Sequence, residues 1–156
     1  MAVNSYQPIL GTPRTILIDI DGTVALRGDR SPYNESKVGD DLPNLPVIMV
    51  VRAMVETGYL PVFMSGRTEG CRQETIAWIN QHVIGLNPEA KLWNLTELHM
   101  RKVGDRRDDA IVKSELFDQH VRHRFNVVAV FDDRNRVVAM WRQLGLTVFQ
   151  VAPGDF

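Results

Sequence analysis

The stretch that most constrains this chain is TILIDI, Thr15 to Ile20, followed at once by Asp21, Gly22 and Thr23. It reads as a strand buried on both faces of a parallel sheet, and two carboxylates, Asp19 and Asp21, stand at its carboxyl end. Burying ionised acids costs several kcal/mol unless a cation or a hydrogen-bond network compensates. In open α/β sheets the carboxyl ends of strands are where ligands bind. The acids therefore point to a site.

Strand and helix patterns alternate along the rest of the chain. After the first strand, residues 24–46 are rich in Gly, Pro, Asp and Asn and read as an ordered loop or small flap. VIMVVRAMVETG predicts a helix that stops at Gly58, and YLPVFMS a buried strand ending at SGR. TEGCRQETIAWINQHVIG predicts a second helix, and AKLWNL a short strand. DDAIVKSELFDQHV predicts a third helix with Ile111, Leu116 and Val112 inward. FNVVAVF, RNRVVAMWRQLG and LTVFQV complete the alternation as strand, helix and strand. The expectation is an α/β doubly wound domain with a mostly parallel five-stranded sheet, spanning residues 1–156 as one unit.

Composition narrows the function classes. No apolar run approaches the roughly 18 residues of a membrane helix, and MAVNSYQPILGTPR carries no signal-peptide pattern, so a cytoplasmic protein without a membrane partner is expected. One cysteine, Cys71, excludes an internal disulfide and reads as a small buried side chain. A net charge of −1 gives no footprint for tight nucleic-acid binding. His120 and His123, three apart on a helix, read as facing solvent near its end.

Three strand ends carry polar groups: Asp19 and Asp21 on the first, Ser65 and Arg67 on the second, Asp132 and Asp133 after FNVVAVF. In a parallel sheet these ends share one edge and can converge on one pocket. Four carboxylates in one pocket raise one another's pKa unless a cation is present. All-oxygen ligands of this kind suit Mg²⁺. Asp109 and Lys113 form an i,i+4 pair that fits either a surface helix pair or an ammonium held in place.

These segments resemble the motifs of the haloacid-dehalogenase phosphatase superfamily: DIDGT the first, SGR the second, Lys113 the third and FDDR the fourth. A narrower resemblance, to the 3′-phosphatase domain of phage-type polynucleotide kinase-phosphatases, rests on DIDGT with RSPY, SGR, GDRRDDAIVK, DDRNRVVAMW and the closing QVAPGDF. The resemblance implies a Rossmann-like fold with a small flap and no large cap. It implies Asp19 as nucleophile forming an aspartyl-phosphate and Asp21 as general acid and base. Ser65, Thr23 and Gly66 would contact the phosphoryl group, and Lys113 would neutralise charge, supported by Asp109. Arg30 and Arg67 are the implied substrate-binding arginines, with Arg67 opening a helix beside Ser65 and Arg134 a supporting group. Mg²⁺ would be held by Asp19, Asp21 and Asp133, with Asp132 close behind.

Neither the flap nor the dozen residues from Leu95 to Arg107 can house a folded lid, so the pocket should admit a polymer end or a phosphoprotein. The expected substrate is a 3′-terminal phosphate on DNA or RNA. No GxxxxGK(S/T) segment occurs, so no kinase activity is expected. A separate kinase or ligase partner, and a homo-oligomer, stay open. The alternatives are a phosphatase for a phosphoprotein or small phosphometabolite, and a non-catalytic module that binds nucleic-acid ends.

Overall fold

The computed structural model describes residues 4–84 and 97–156. Strand β1 (Arg14–Ile18) leads into an excursion of two short strands, β2 (Ala25–Leu26) and β3 (Leu42–Pro43), around a 3-10 turn at Glu35–Asp40. Then follow α1 (Leu45–Glu56), β4 (Leu60–Thr68), α2 (Arg72–Ile79), β5 (Leu98–Arg101), α3 (Asp109–His120), β6 (Asn126–Asp132), α4 (Asn135–Gln143) and β7 (Val148–Gln150). One five-stranded sheet runs in the order β5-β4-β1-β6-β7, every neighbouring pair parallel. β2 and β3 pair antiparallel as a separate ribbon.

The period of two along each strand sorts side chains onto two cores. Ile16, Ile18, Phe63 and Phe131 pack with Ile48 and Val51 of α1 and Trp78 of α2. Leu17, Val62, Met64 and Val130 pack on the opposite face with Phe117 of α3 and Trp141 of α4. Each fully buried large side chain contributes about 1.5–3 kcal/mol by leaving water, so both faces fix the sheet. The chain builds outward from β1 through β4 to β5, then crosses to β6 and β7 on the other side. The reversal falls beside β1, where open α/β sheets leave a crevice at the strand ends.

Several local expectations are corrected. The segment 90–95, expected as a strand, lies outside the described residues. β5 occupies Leu98–Arg101, inside the stretch read as a connection. Its alternation of buried Leu98 and Met100 with half-buried His99 and Arg101 is too short and too polar to stand out. β1 ends at Ile18; the N–H of Asp19 still donates to the Phe131 carbonyl of β6 at 2.9 Å, and Ile20 opens the turn. β4 runs through SGR to Thr68, and Arg67 sits in extended backbone; α2 starts only at Arg72. On α3 the inward residues are Val112, Lys113 and Phe117, while Ile111 is 50 % exposed. The inward stripe contains a lysine, which a reading of apolar spacing alone skips. His120 is half-buried and stacks on His99 at 4.4 Å between ring centroids, since α3 packs against β5. Among the described residues no helix is long and apolar enough to cross a membrane.

Candidate active site

The turn after β1 is wound tightly: the backbone N–H groups of Thr23, Val24 and Ala25 all donate to the carbonyl of Ile20. This winding returns the Thr23 hydroxyl to Asp19, whose Oδ2 it reaches at 3.0 Å. Gly22 has φ +79°, and a Cβ there would run into the Asp133 carboxylate. A side chain would thus be both strained and sterically blocked at this point. The first and fourth motifs meet at a glycine for that reason.

Lys113 reaches in from α3, placing Nζ 2.7 Å from Asp19 Oδ1, 3.0 Å from Asp132 Oδ2 and 3.8 Å from Asp109 Oδ2. Burial pushes this ammonium's pKa down, but Asp132, Asp19 and Asp109 outweigh it and leave the pKa raised, so the group stays charged. Asp19 is pushed well above the usual carboxylate range by burial, with Asp132 and Asp133 adding to the push and Lys113 opposing it. Asp133 is raised by burial and by the charge of Asp132.

The two acids after β6 differ in what holds them. Asp132 Oδ1 accepts from the backbone N–H groups of Asp133 and Arg134, at 2.9 and 3.3 Å. Its Oδ2 accepts from Lys113 and, at 3.2 Å, from Trp141 Nε1. The Asp133 carboxylate, by contrast, has no lysine, arginine or tryptophan donor among the described residues and lies within hydrogen-bonding reach of Asp19. One oxygen from each of Asp19, Asp132 and Asp133 lies within 4.8 Å of the others. Three carboxylates against one ammonium leave an excess of negative charge, and a hard divalent cation with oxygen ligands fits that donor set.

Asp21 belongs to a second cluster. Its carboxylate accepts from Arg67 at 3.0 Å (Nε) and 2.8 Å (Nη2), and from Arg30 Nη2 at 3.1 Å. Both guanidiniums also bind Asp41: Arg30 through Nε and Nη2 at 2.8 Å each, Arg67 through Nη2 at 2.7 Å. Arg67 Nη1 is taken by Thr75 Oγ1 at 3.2 Å. The quartet is charge-balanced, and the side chains of Arg67 and Asp41 are only 2 % and 1 % exposed. Ser65, fully buried, accepts the backbone N–H of Arg67 on its Oγ at 3.1 Å.

A third group lies beside Lys113. Gly66 rests against the Asp109 carboxylate, and its carbonyl accepts from Arg101 Nε at 3.0 Å. Arg101 Nη2 donates to Asp109 Oδ1 at 2.9 Å, and Arg134 Nη1 lies 3.7 Å from Asp109 Oδ2. Burial raises the Asp109 pKa, but Lys113, Arg134 and Arg101 together bring it below its ordinary value. The chain after β7 then crosses the fourth motif: Gln150 Nε2 donates to the Asp133 carbonyl at 3.0 Å, and Asn135 N–H to the Gly154 carbonyl at 2.9 Å. A Cβ on Gly154 would collide with the backbone carbonyl of Asp133.

The structure therefore brings together Asp19, Thr23, Lys113, Asp132 and Asp133 in one cluster, and Asp21, Arg30 and Arg67 in a neighbouring one. Asp41 and Arg101 were missed from the sequence. Asp41 stands in a run of loop acids, GDDLP, with nothing local to mark it as buried, and Arg101 closes β5, whose four residues carry no clear strand pattern.

A family model described as the polynucleotide kinase PNKP phosphatase domain matches residues 13–156. A protein of Autographa californica nuclear polyhedrosis virus that carries the name bifunctional polynucleotide kinase/RNA ligase is 40 % identical over 142 residues, covering 89 % of this chain and 19 % of the viral one. Two solved chains, one from a Pnkp1/Rnl/Hen1 complex and one from the Pnkp1/Rnl/Hen1 RNA repair complex, superpose with TM-scores of 0.86 and 0.87 at 36 % and 35 % identity, covering 96 % and 100 % of this chain. The present chain spans about half the length of those solved chains and about a fifth of the viral relative. A class C acid phosphatase from Bacillus anthracis shares the fold, with a TM-score of 0.57 at 16 % identity over 92 % of this chain.

Proposed function

The chain belongs to the phosphatase-domain family of polynucleotide kinase PNKP, and from that premise we propose that it is a Mg²⁺-dependent phosphatase that removes a 3′-terminal phosphate from nucleic acid through an aspartyl-phosphate on Asp19. One observation carries the reading: Lys113 fastens Oδ1 of Asp19 at 2.7 Å while Thr23 fastens Oδ2 at 3.0 Å. These two bonds hold Asp19 at a strand end beside two further acids, the placement that a nucleophile in this position needs.

In the first step an oxygen of Asp19 bonds to phosphorus and the bond from phosphorus to the 3′ oxygen breaks. For this step Asp21 takes a proton from solvent on Oδ1, giving up the bonds from Arg30 and Arg67 Nη2 while Arg67 Nε keeps Oδ2, and passes that proton to the leaving oxygen. Asp21 then takes a proton from water, the water oxygen bonds to phosphorus, and Asp19 is released with inorganic phosphate. Lys113 offsets charge on Asp19 and the transferring group, while Ser65, Thr23 and Gly66 line the phosphoryl site. Asp19, Asp133 and the backbone carbonyl of Asp21 would hold Mg²⁺; Asp132, its oxygens engaged by Lys113, Trp141 and backbone N–H groups, supports them. Bound there, the metal supplies charge neutralisation for the phosphoryl oxygens. With their donors on Asp21 and Asp41, Arg30 and Arg67 serve the substrate first by aiming Asp21. Asp109 and Arg134 steady Lys113 and the fourth motif.

These 156 residues are assigned phosphatase chemistry alone, with kinase or ligase activity supplied beside it, as the names of the relatives suggest. The test is phosphate release from a 3′-phosphorylated oligonucleotide, its 5′-phosphorylated isomer and a phosphopeptide, with Mg²⁺ and with chelator. The 3′ end should react fastest, and only with metal. Equal rates on both ends, or a faster phosphopeptide, would contradict the substrate assignment.

A further inference from the structure

Tyr33 stands 93 % exposed on the excursion between β2 and β3. An exposed aromatic on a mobile loop would carry no meaning. The turn bearing Tyr33, however, is fastened on both sides. Arg30 Nη1 donates to the carbonyls of Ser31 and Asn34, at 3.3 and 3.2 Å, while Nη2 of the same guanidinium holds Asp21. The N–H of Asn34 donates to the Ser31 carbonyl at 3.0 Å, and the N–H of Tyr33 to Ser31 Oγ at 3.3 Å. On the other side, both carboxylate oxygens of Glu35 are bound by Thr68 at the end of β4, through its N–H at 2.7 Å and its hydroxyl at 2.6 Å. Pro32 restricts the backbone between these ties.

None of these bonds uses the Tyr33 ring. The ring is a large aromatic surface, uncovered, on a stiff mount one guanidinium away from Asp21. Such a surface suits stacking: a rigid ring loses little freedom on contact, and base–aromatic stacking contributes about 1–3 kcal/mol with little dependence on sequence. Lys37 on the following turn, and Lys102 and Arg106 on the loop that Arg101 ties to Gly66, are exposed and have no carboxylate partner among the described residues.

We propose that Tyr33 is the stacking platform for the nucleobase of the nucleotide that carries the terminal phosphate, so that the protein reads a base face at its substrate end. This rests on the nucleic-acid reading above and names the contact that distinguishes a polynucleotide end from a small phosphate ester. The test is steady-state kinetics of the wild type and of Tyr33→Ala, Tyr33→Phe and Tyr33→Trp. The substrates are a 3′-phosphorylated oligonucleotide, the same oligonucleotide with an abasic 3′-terminal nucleotide, and p-nitrophenyl phosphate.

Tyr33→Ala should lower the ratio of kcat/KM on the oligonucleotide to that on p-nitrophenyl phosphate about tenfold, chiefly through KM. Phe or Trp should restore that ratio. The wild type should lose a similar factor on the abasic end, and Tyr33→Ala should lose nothing further there. An unchanged ratio in Tyr33→Ala, or an abasic end processed as well as a normal one, would overturn the platform. A wild type that already ignores 3′-phosphorylated oligonucleotides would overturn the substrate reading itself, and that outcome is visible before any variant is made.

Discussion

Arg67 grips the carboxylate of Asp21 with two parallel hydrogen bonds, Nε to Oδ2 at 3.0 Å and Nη2 to Oδ1 at 2.8 Å. This fork fixes the plane of the carboxylate proposed as acid and base, and a lysine cannot reproduce it. Arg67→Lys should therefore be almost as damaging as Arg67→Ala. Loss of an aimed general acid is worth about 10²–10⁴ in rate. The loss should be larger on an alkyl phosphate than on p-nitrophenyl phosphate, whose leaving group needs little protonation. Kinetics of both variants on both esters check this. Near-normal turnover in Arg67→Lys would contradict it.

Asp41 faces the same guanidinium and that of Arg30 from the other side, and all three side chains are buried. Removing it strands two cations on the single carboxylate of Asp21. Breaking a buried pair in this way costs about 3–5 kcal/mol. Urea denaturation of Asp41→Ala should show a loss of that order together with reduced turnover. A loss under about 1 kcal/mol would mean that water replaces Asp41 freely.

Asp109 sets a pH dependence. Burial pushes its carboxyl up, and Lys113, Arg134 and Arg101 overcome that push, leaving the folded pKa below the ordinary 3.8. The stabilisation is therefore complete above that value and lost as pH falls through the folded pKa. The stability gap between wild type and Asp109→Asn should be widest near neutral pH and should narrow below about 3.8. Denaturation curves across that range test it, and a gap independent of pH would contradict it.

Mg²⁺ should raise the melting temperature, because it relieves repulsion among Asp19, Asp132 and Asp133 in the folded state only. At a hundred times its Kd a ligand of this kind stabilises by about 2.7 kcal/mol. Chelator should remove both the shift and the activity. Asp133→Asn should remove most of the shift, since no lysine, arginine or tryptophan among the described residues competes for that carboxylate. A full Mg²⁺ shift in Asp133→Asn would place the metal elsewhere.

The strand ends were legible because long apolar runs stop abruptly at acids, at Asp19 after ILI and at Asp132 after VAVF. That contrast is local, and sequence holds it. The partners of Asp21 were less legible. Arg67 was expected to open a helix because TEGCRQ has helical composition, yet β4 pairing carries the extended backbone through Thr68. Asp41 is buried only because Arg30 and Arg67 meet it, a contact made 26 residues away from Arg67. On α3 the inward stripe runs through Val112, Lys113 and Phe117, so Ile111 falls on the solvent side, and apolar spacing does not count the lysine. Strand pairing decides the backbone at Arg67, and charge pairing across the fold decides the burial of Asp41.

The most direct test of Asp19 as nucleophile is the stereochemical course at phosphorus, followed on an isotopically chiral thiophosphate 3′-ester hydrolysed in labelled water. Transfer to Asp19 and then to water is two in-line displacements, each inverting the centre. Net retention is the predicted result. Net inversion would mean that water attacks the substrate directly, and would contradict an aspartyl-phosphate on Asp19.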